Sequence, residues 1–452
     1  MMPLGELAEV PRMKELLVAK KDKVSLSGCV DSQKVHMMAG LGDRFKCKVI
    51  LTFSDLRARE IAEDFLFYDR NVFVYPGKDL IFYQADIHGN QLVKERISVL
   101  KRVMEGKPIT VITTFGALMS PMMPIEVLKK NIIEIDKKTE ISENKVAKRL
   151  VEMGYEKNYQ VEAPGQFSIR GGIIDIFDVT EENPYRIELW GDEVESIRSF
   201  DILSQRSIEQ LSSIRIYPAS EFVLTKERIQ SGFLVMEKDA AKQEKVFRDA
   251  FQTEEAHRIA TQIKEVKEQV LEFQNYAGLE GYIRYFYKKD ELKSLLGILS
   301  AGHCLFLDEP ARIREHAQAV ETEFRESMSH RAEKGYILPG QMQVLYGMEE
   351  VSAMMQKTSF VSLSAIDLKN PLLKAKHRYD IQVRSISSYN NSFESLVKDL
   401  KRYKKNGYRV LLLSGSRTRA ARLAEDLREQ ELSAVFTQNP EREVQPGEIL
   451  TC

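Results

Sequence analysis

The 49 residues from Tyr159 to Ser207 read YQVEAPGQFSIRGGIIDIFDVTEENPYRIELWGDEVESIRSFDILSQRS, and their apolar period is two. Phe167 and Ile169 alternate with Gln166, Ser168 and Arg170. Gly171-Gly172 then supplies the positive-φ positions of a tight two-residue turn, and Ile173 to Phe177 returns. Tyr185, Ile187 and Leu189 alternate with Arg186, Glu188 and Trp190, Gly191-Asp192 turns, and Glu193 to Phe200 comes back. The pattern predicts two consecutive β-hairpins. Side chains of a strand alternate between its faces, so Arg186, Glu188 and Trp190 share the side opposite the apolar trio. The single tryptophan of the chain is thereby expected on a polar face, and Arg170 lies on the polar side of its own strand. Two readings fit. Arginines on an outer strand face are ordinarily solvated, and a lone Trp is ordinarily half-buried. Equally, Trp and Arg are enriched among the residues that dominate binding energy, which makes this a candidate partner-binding face.

The rest of the composition narrows the classes. A chain of 452 residues is too long for one core and suggests about three or four domains. Its formal net charge of −1 offers no basic field of the kind a whole-chain nucleic-acid binder presents, so tight duplex DNA binding is not expected. Cys29, Cys47, Cys304 and Cys452 form no CxxC pair, which argues against a zinc site or a disulfide framework and fits a reducing cytoplasm. The histidines are isolated from one another, so no metal site is expected. No apolar run approaches the ~20 residues of a membrane span, and the N-terminus lacks a signal-peptide layout.

In chain order, residues 1 to 22 read as a short amphipathic helix ending in Lys20-Lys21. Strands and helices then alternate over 24 to 125, with KVILTF and VITT among the strands, which indicates an α/β layer with a mainly parallel sheet. At the first strand-to-helix joint, SLSGCVDSQKV occupies the place of a phosphate-binding loop, G-x-x-x-x-G-K-[S/T]. Gly28 fills the first glycine, Gln33 the second, Lys34 the lysine and Val35 the Ser/Thr. Gln33 brings a Cβ to a backbone that must fold tightly around phosphate, and Val35 lacks the hydroxyl that holds Mg²⁺. This loop is expected to be inactive. Downstream, Ile259, Ile263, Val266, Val270 and Phe273 form the stripe of an amphipathic helix. GYIRYFYKKDEL fits either base stacking or, more simply, packing by Tyr282, Tyr285 and Phe286. HCLFLDEPARI ends an apolar strand in Asp308-Glu309, the pair that a P-loop ATPase uses for Mg²⁺ and water; without a working loop it reads as a relic. From 361 onward strands and helices alternate again, and the serines of SGSRT suit helix capping or an anion.

GQFSIRGGIIDIF, PYRIELWGDEVESIRSFD and SQRS closely resemble the UvrA-binding module shared by the excision-repair protein UvrB and the transcription-repair coupling factors. The SQRS continuation and the defective phosphate loop favour the coupling factors. The resemblance implies an α/β fold in which a degenerate P-loop domain, UvrB-like, is split by an inserted α+β UvrA-binding module and followed by a second small α/β domain. The expected segments are an N-terminal helix (1–22), the first part of the split domain (23–125), the module (126–217), a largely helical second part (218–360) and the small domain (361–452). It implies recruitment of UvrA to stalled RNA polymerase for nucleotide excision repair, with Arg170, Arg186 and Trp190 as contacts. Trp190 stands where relatives often carry Phe. It also implies no cofactor in this portion: ATP, Mg, RNA polymerase and duplex DNA belong to the family's C-terminal domains, and the end at GEILTC suggests truncation. A UvrB-like ATP-dependent damage-recognition helicase and a purely structural scaffold are the alternatives.

Overall fold

The computed structural model describes residues 9–18, 22–78, 90–272, 279–299, 302–367, 372–381, 386, 389, 392–439 and 442–452. Two compact units divide between residues 382 and 383.

In the larger unit, β1 (Lys23–Ser27), β2 (Cys47–Thr52), β3 (Val72–Tyr75) and β4 (Ile109–Thr114) come first. The eight that follow are β5 (Ile133–Asp136), β6 (Glu156–Lys157), β7 (Gln166–Arg170), β8 (Ile173–Ile176), β9 (Tyr185–Trp190), β10 (Glu193–Phe200), β11 (Ser207–Gln210) and β12 (Ser213–Ile216). Then come β13 (Cys304–Asp308), β14 (Ser359–Leu363) and β15 (His377–Asp380). The first four and last three build one parallel sheet in the order β15-β1-β14-β13-β2-β4-β3. β2, β4, β13 and β14 are buried at every position, as strands covered on both faces must be. The expected mainly parallel α/β layer is present, and β5 to β12 interrupt it in sequence.

The small C-terminal domain begins later than the expected 361. Ser359–Leu363 pairs with β13 on one side and β1 on the other, and His377–Asp380 adds to β1 at the sheet edge. An apolar strand such as SFVSL opens a new sheet or completes an old one equally well by pattern. Here it completes the large one.

Both predicted hairpins form. The second sheet runs β11-β10-β9-β8-β7-β6, antiparallel except where β6 lies parallel to β7. Gly171 and Gly172 have φ +55° and +80°, the two positive values of a type I′ turn, and Gly191 has φ +63°. The inner face buries Phe167, Ile174, Ile176, Ile187 and Ile197, joined by Val146 and Leu150 of the helix Glu143–Glu152.

Helices Lys226–Asp249 and Thr253–Glu272 pack as a hairpin, with Ile259, Ile263 and Val270 buried. Phe273 and Lys20-Lys21 lie outside the described residues; the N-terminal helix is described over Glu9–Val18. Tyr282 and Phe286 are buried, and Tyr285 donates to Asp239 Oδ2 at 2.5 Å. These rings pack internally and do not form a stacking platform.

The smaller unit places β16 (Val410–Leu412), β17 (Ala434–Phe436) and β18 (Ile449–Thr451) in a parallel sheet ordered β16-β18-β17. Val397 and Leu400 of one helix, and Ala424 and Leu427 of another, cover it. Ser416 accepts from Arg419 N at 3.3 Å, so this serine caps its helix.

Candidate partner-binding face and a buried lysine–carboxylate cluster

The register of the second sheet brings its polar side chains to one outer face. Ser168 lies opposite Asp175, Asp175 opposite Arg186, and Arg186 opposite Arg198. Trp190, at the end of β9, is 81% exposed. The ring contributes nothing to the core, which leaves a large rigid apolar surface in solvent.

The two arginines differ. Arg186 Nε donates to Asp175 Oδ1 at 2.7 Å and Nη2 to Asp175 Oδ2 at 2.8 Å, a bidentate pair. Nη2 also reaches Gln205 Oε1 at 2.8 Å, and the guanidinium lies 4.2 Å from the Phe200 ring centroid. The Asp175 hydrogen bonds raise the Arg186 pKa beyond its ordinary value. Arg170 touches the same carboxylate only at 3.4 Å, is 36% exposed and sits 5.3 Å from the Tyr159 ring centroid. Arg186 is therefore not simply solvated on an outer face: Asp175 is 2% exposed and Arg186 is its principal counter-ion. Sequence reasoning passed over Asp175, although an aspartate inside the apolar run IIDIF is a visible signal. Beside this pair, Glu188 accepts from Arg198 at 2.5 Å and from Ser196 at 2.7 Å.

At the first joint of the large sheet, Lys34 is buried at 2% exposure. Its Nζ lies 2.5 Å from Glu309 Oε1, 3.3 Å from Asp308 Oδ1 and 3.4 Å from Asp31 Oδ1. Asp308 Oδ2 also accepts from Thr52 Oγ1 at 3.0 Å and Arg57 Nε at 3.3 Å, and Glu309 Oε1 from Ala365 N at 2.9 Å. Burial alone would lower the Lys34 pKa; the Asp308 and Glu309 carboxylates outweigh it and raise it. Fold and topology thus bring together Lys34 and an acidic pair 275 residues away, and they neutralise each other. Gly28 has φ +78°, and a Cβ there would sit 2.1 Å from the Ile381 carbonyl oxygen. Ile381 N donates to Ser27 O at 2.8 Å, so the chain after β15 lies against the loop. Gln33 is half-buried and Val35 buried. Among the described residues no group of His, Cys, Asp and Glu has the arrangement of a metal site.

Residues 133–222, which contain β5 to β12, match the family model described as UvrB interaction domain. The chain is 31% identical over 435 residues to the transcription-repair-coupling factor of Bacillus subtilis (strain 168), covering 96% of this chain and 36% of that protein. The protein of the same name from Staphylococcus epidermidis (strain ATCC 35984) is 24% identical over 454 residues, covering 98% of this chain and 37% of its own length. This chain is related to the N-terminal region of the transcription-repair-coupling factors. It spans little more than a third of the length of these relatives. The matched domain begins at β5 and closes just beyond β12, so the face carrying Arg170, Arg186 and Trp190 lies wholly inside it. No described helix is long and apolar enough to cross a membrane.

Proposed function

We propose that this chain recruits UvrA through the outer face of the β6–β11 sheet, as part of a coupling factor that directs nucleotide excision repair to RNA polymerase stalled at damage. The observation that carries this is Trp190, a fully presented aromatic ring on the polar face of the matched domain. Contacts with RNA polymerase and duplex DNA, and ATP-driven translocation with Mg, belong in this reading to other parts of the longer family architecture. A UvrB-like helicase is disfavoured because Lys34 already holds Asp308 and Glu309. The same geometry supports a degenerate phosphate loop whose lysine serves as an internal counter-ion.

Trp190→Ala is expected to weaken UvrA binding by about thirtyfold, the ~2 kcal/mol of a central anchor. Its melting temperature should match the parent, since an exposed ring leaves no cavity. A lower melting temperature with unchanged affinity would place Trp190 in the core and defeat the reading. Titration of the chain with Mg-ATP in a calorimeter should give no binding heat. A micromolar isotherm would show that the loop opens, and would restore the helicase alternative.

A further inference from the structure

We infer that Tyr159 is a further direct contact of this face and belongs to the same footprint as Arg170 and Trp190; the inference rests on the proposed binding of UvrA. Tyr159 is 84% exposed, and its hydroxyl makes no hydrogen bond among the described residues. A single exposed aromatic is unremarkable by itself. This one stands on backbone that is tied down. Ser168 Oγ donates to Tyr159 O at 2.8 Å, and Asn158 N donates to Phe167 O at 2.9 Å. Gln166 Oε1 accepts from Glu162 N at 2.9 Å and Ala163 N at 3.1 Å, which holds the loop that follows. The ring is thus presented with little ordering left to undergo on binding.

The Arg170 guanidinium lies 5.3 Å from the Tyr159 ring centroid. Arg170 spends one long contact, Nη2 to Asp175 Oδ2 at 3.4 Å, and a cation held over a ring leaves the rest of its N–H fork at the edge for an incoming carboxylate. Arg186 is more committed, because its Nε and Nη2 are taken by Asp175 and Gln205 at 2.7–2.8 Å. Arg170 pairs with Ile173, and Ile173 with Glu188, two residues before Trp190. With strands ~4.8 Å apart, Tyr159 and Trp190 therefore flank Arg170 within roughly 15 Å, inside the ~800 Å² that one partner covers on each side of a standard interface. The surface that fits is an acidic side chain flanked by apolar groups on UvrA.

The test uses the 452-residue chain and immobilised UvrA, with affinity and melting temperature measured for Tyr159→Ala, Tyr159→Phe, Arg170→Ala and the double Tyr159→Ala/Arg170→Ala variant. Tyr159→Ala should bind about five- to tenfold more weakly at unchanged melting temperature, and Tyr159→Phe within about twofold of the parent. The double variant should lose less than the product of the singles, since ring and guanidinium act together. If Tyr159→Ala binds like the parent while Trp190→Ala does not, the inference fails and the proposed function stands. If the parent chain forms no complex with UvrA, both fall.

Discussion

Glu221→Gln is expected to destabilise the larger unit by about 3–5 kcal/mol, the cost of removing one partner from a buried ion pair. Glu221 follows β12 and is 2% exposed; Arg96, on the helix Asn90–Met104, is 1% exposed. Arg96 Nε donates to Glu221 Oε1 at 3.0 Å and Nη2 to Oε2 at 3.1 Å. Tyr75, on β3, donates to Oε1 at 2.5 Å, and Lys78 Nζ lies 2.6 Å from Oε2. Arg96 also lies 3.9 Å from the Tyr75 ring centroid and donates to Pro76 O at 2.5 Å, so it has no route to solvent once its carboxylate is gone. The urea midpoint should fall with an unchanged slope. Acid supplies an independent check. Burial alone would raise the Glu221 carboxyl, but the Arg96 and then the Lys78 charges override it and hold it at about 2, below its ordinary 4.5. A folded-state pKa below the unfolded one contributes stability that is complete above 4.5 and lost as pH falls through 2. The gap between parent and Glu221→Gln should therefore be full at neutral pH and close between pH 4.5 and 2. A gap independent of pH would mean that packing, and not the carboxylate charge, is what Glu221 supplies.

The hairpins were legible because period-two alternation and the Gly171-Gly172 and Gly191-Asp192 turns are local rules. The order of the large sheet was not. β13 and β14 lie between β1 and β2, and their 304–363 stretch enters the sheet only after the whole matched domain has been made. The same non-locality hid the counter-ions. Alternation placed Arg186 on the polar face, but only the strand register sets Asp175 opposite it. Arg96 was overlooked altogether, although it lies on the stripe of Val93, Ile97 and Leu100, at a spacing where a solvated arginine does not belong. An arginine on an apolar stripe announces a buried partner without saying which one. Lys34 and the Asp308-Glu309 pair each stood out in the sequence at a strand's end; that they close on each other required the fold.

Arg186→Ala is expected to act unlike Trp190→Ala, lowering both stability and UvrA affinity. Removing the guanidinium leaves Asp175 buried with only the 3.4 Å contact to Arg170. An uncompensated buried carboxylate costs about 3–5 kcal/mol, a loss large enough to lower the melting temperature by several degrees. The Phe200 ring, covered by Arg186 at 4.2 Å, would also be uncovered. Affinity suffers by a second route. Arg170, then the one cation left bonded to Asp175 among the described residues, would turn inward to it and withdraw the fork it offers to a partner. Arg186→Lys should recover part of the stability, because an ammonium keeps the charge but cannot make the bidentate pair. Asp175→Asn combined with Arg186→Ala should recover more, since no buried charge is then left alone. That double variant separates the two roles. If its stability returns and UvrA affinity returns with it, Arg186 acts by holding Asp175 away from Arg170; if stability returns and affinity does not, Arg186 touches UvrA itself. A melting temperature unaffected by Arg186→Ala alone would mean that Asp175 is satisfied without it, and that Arg186 is as free to bind as Trp190.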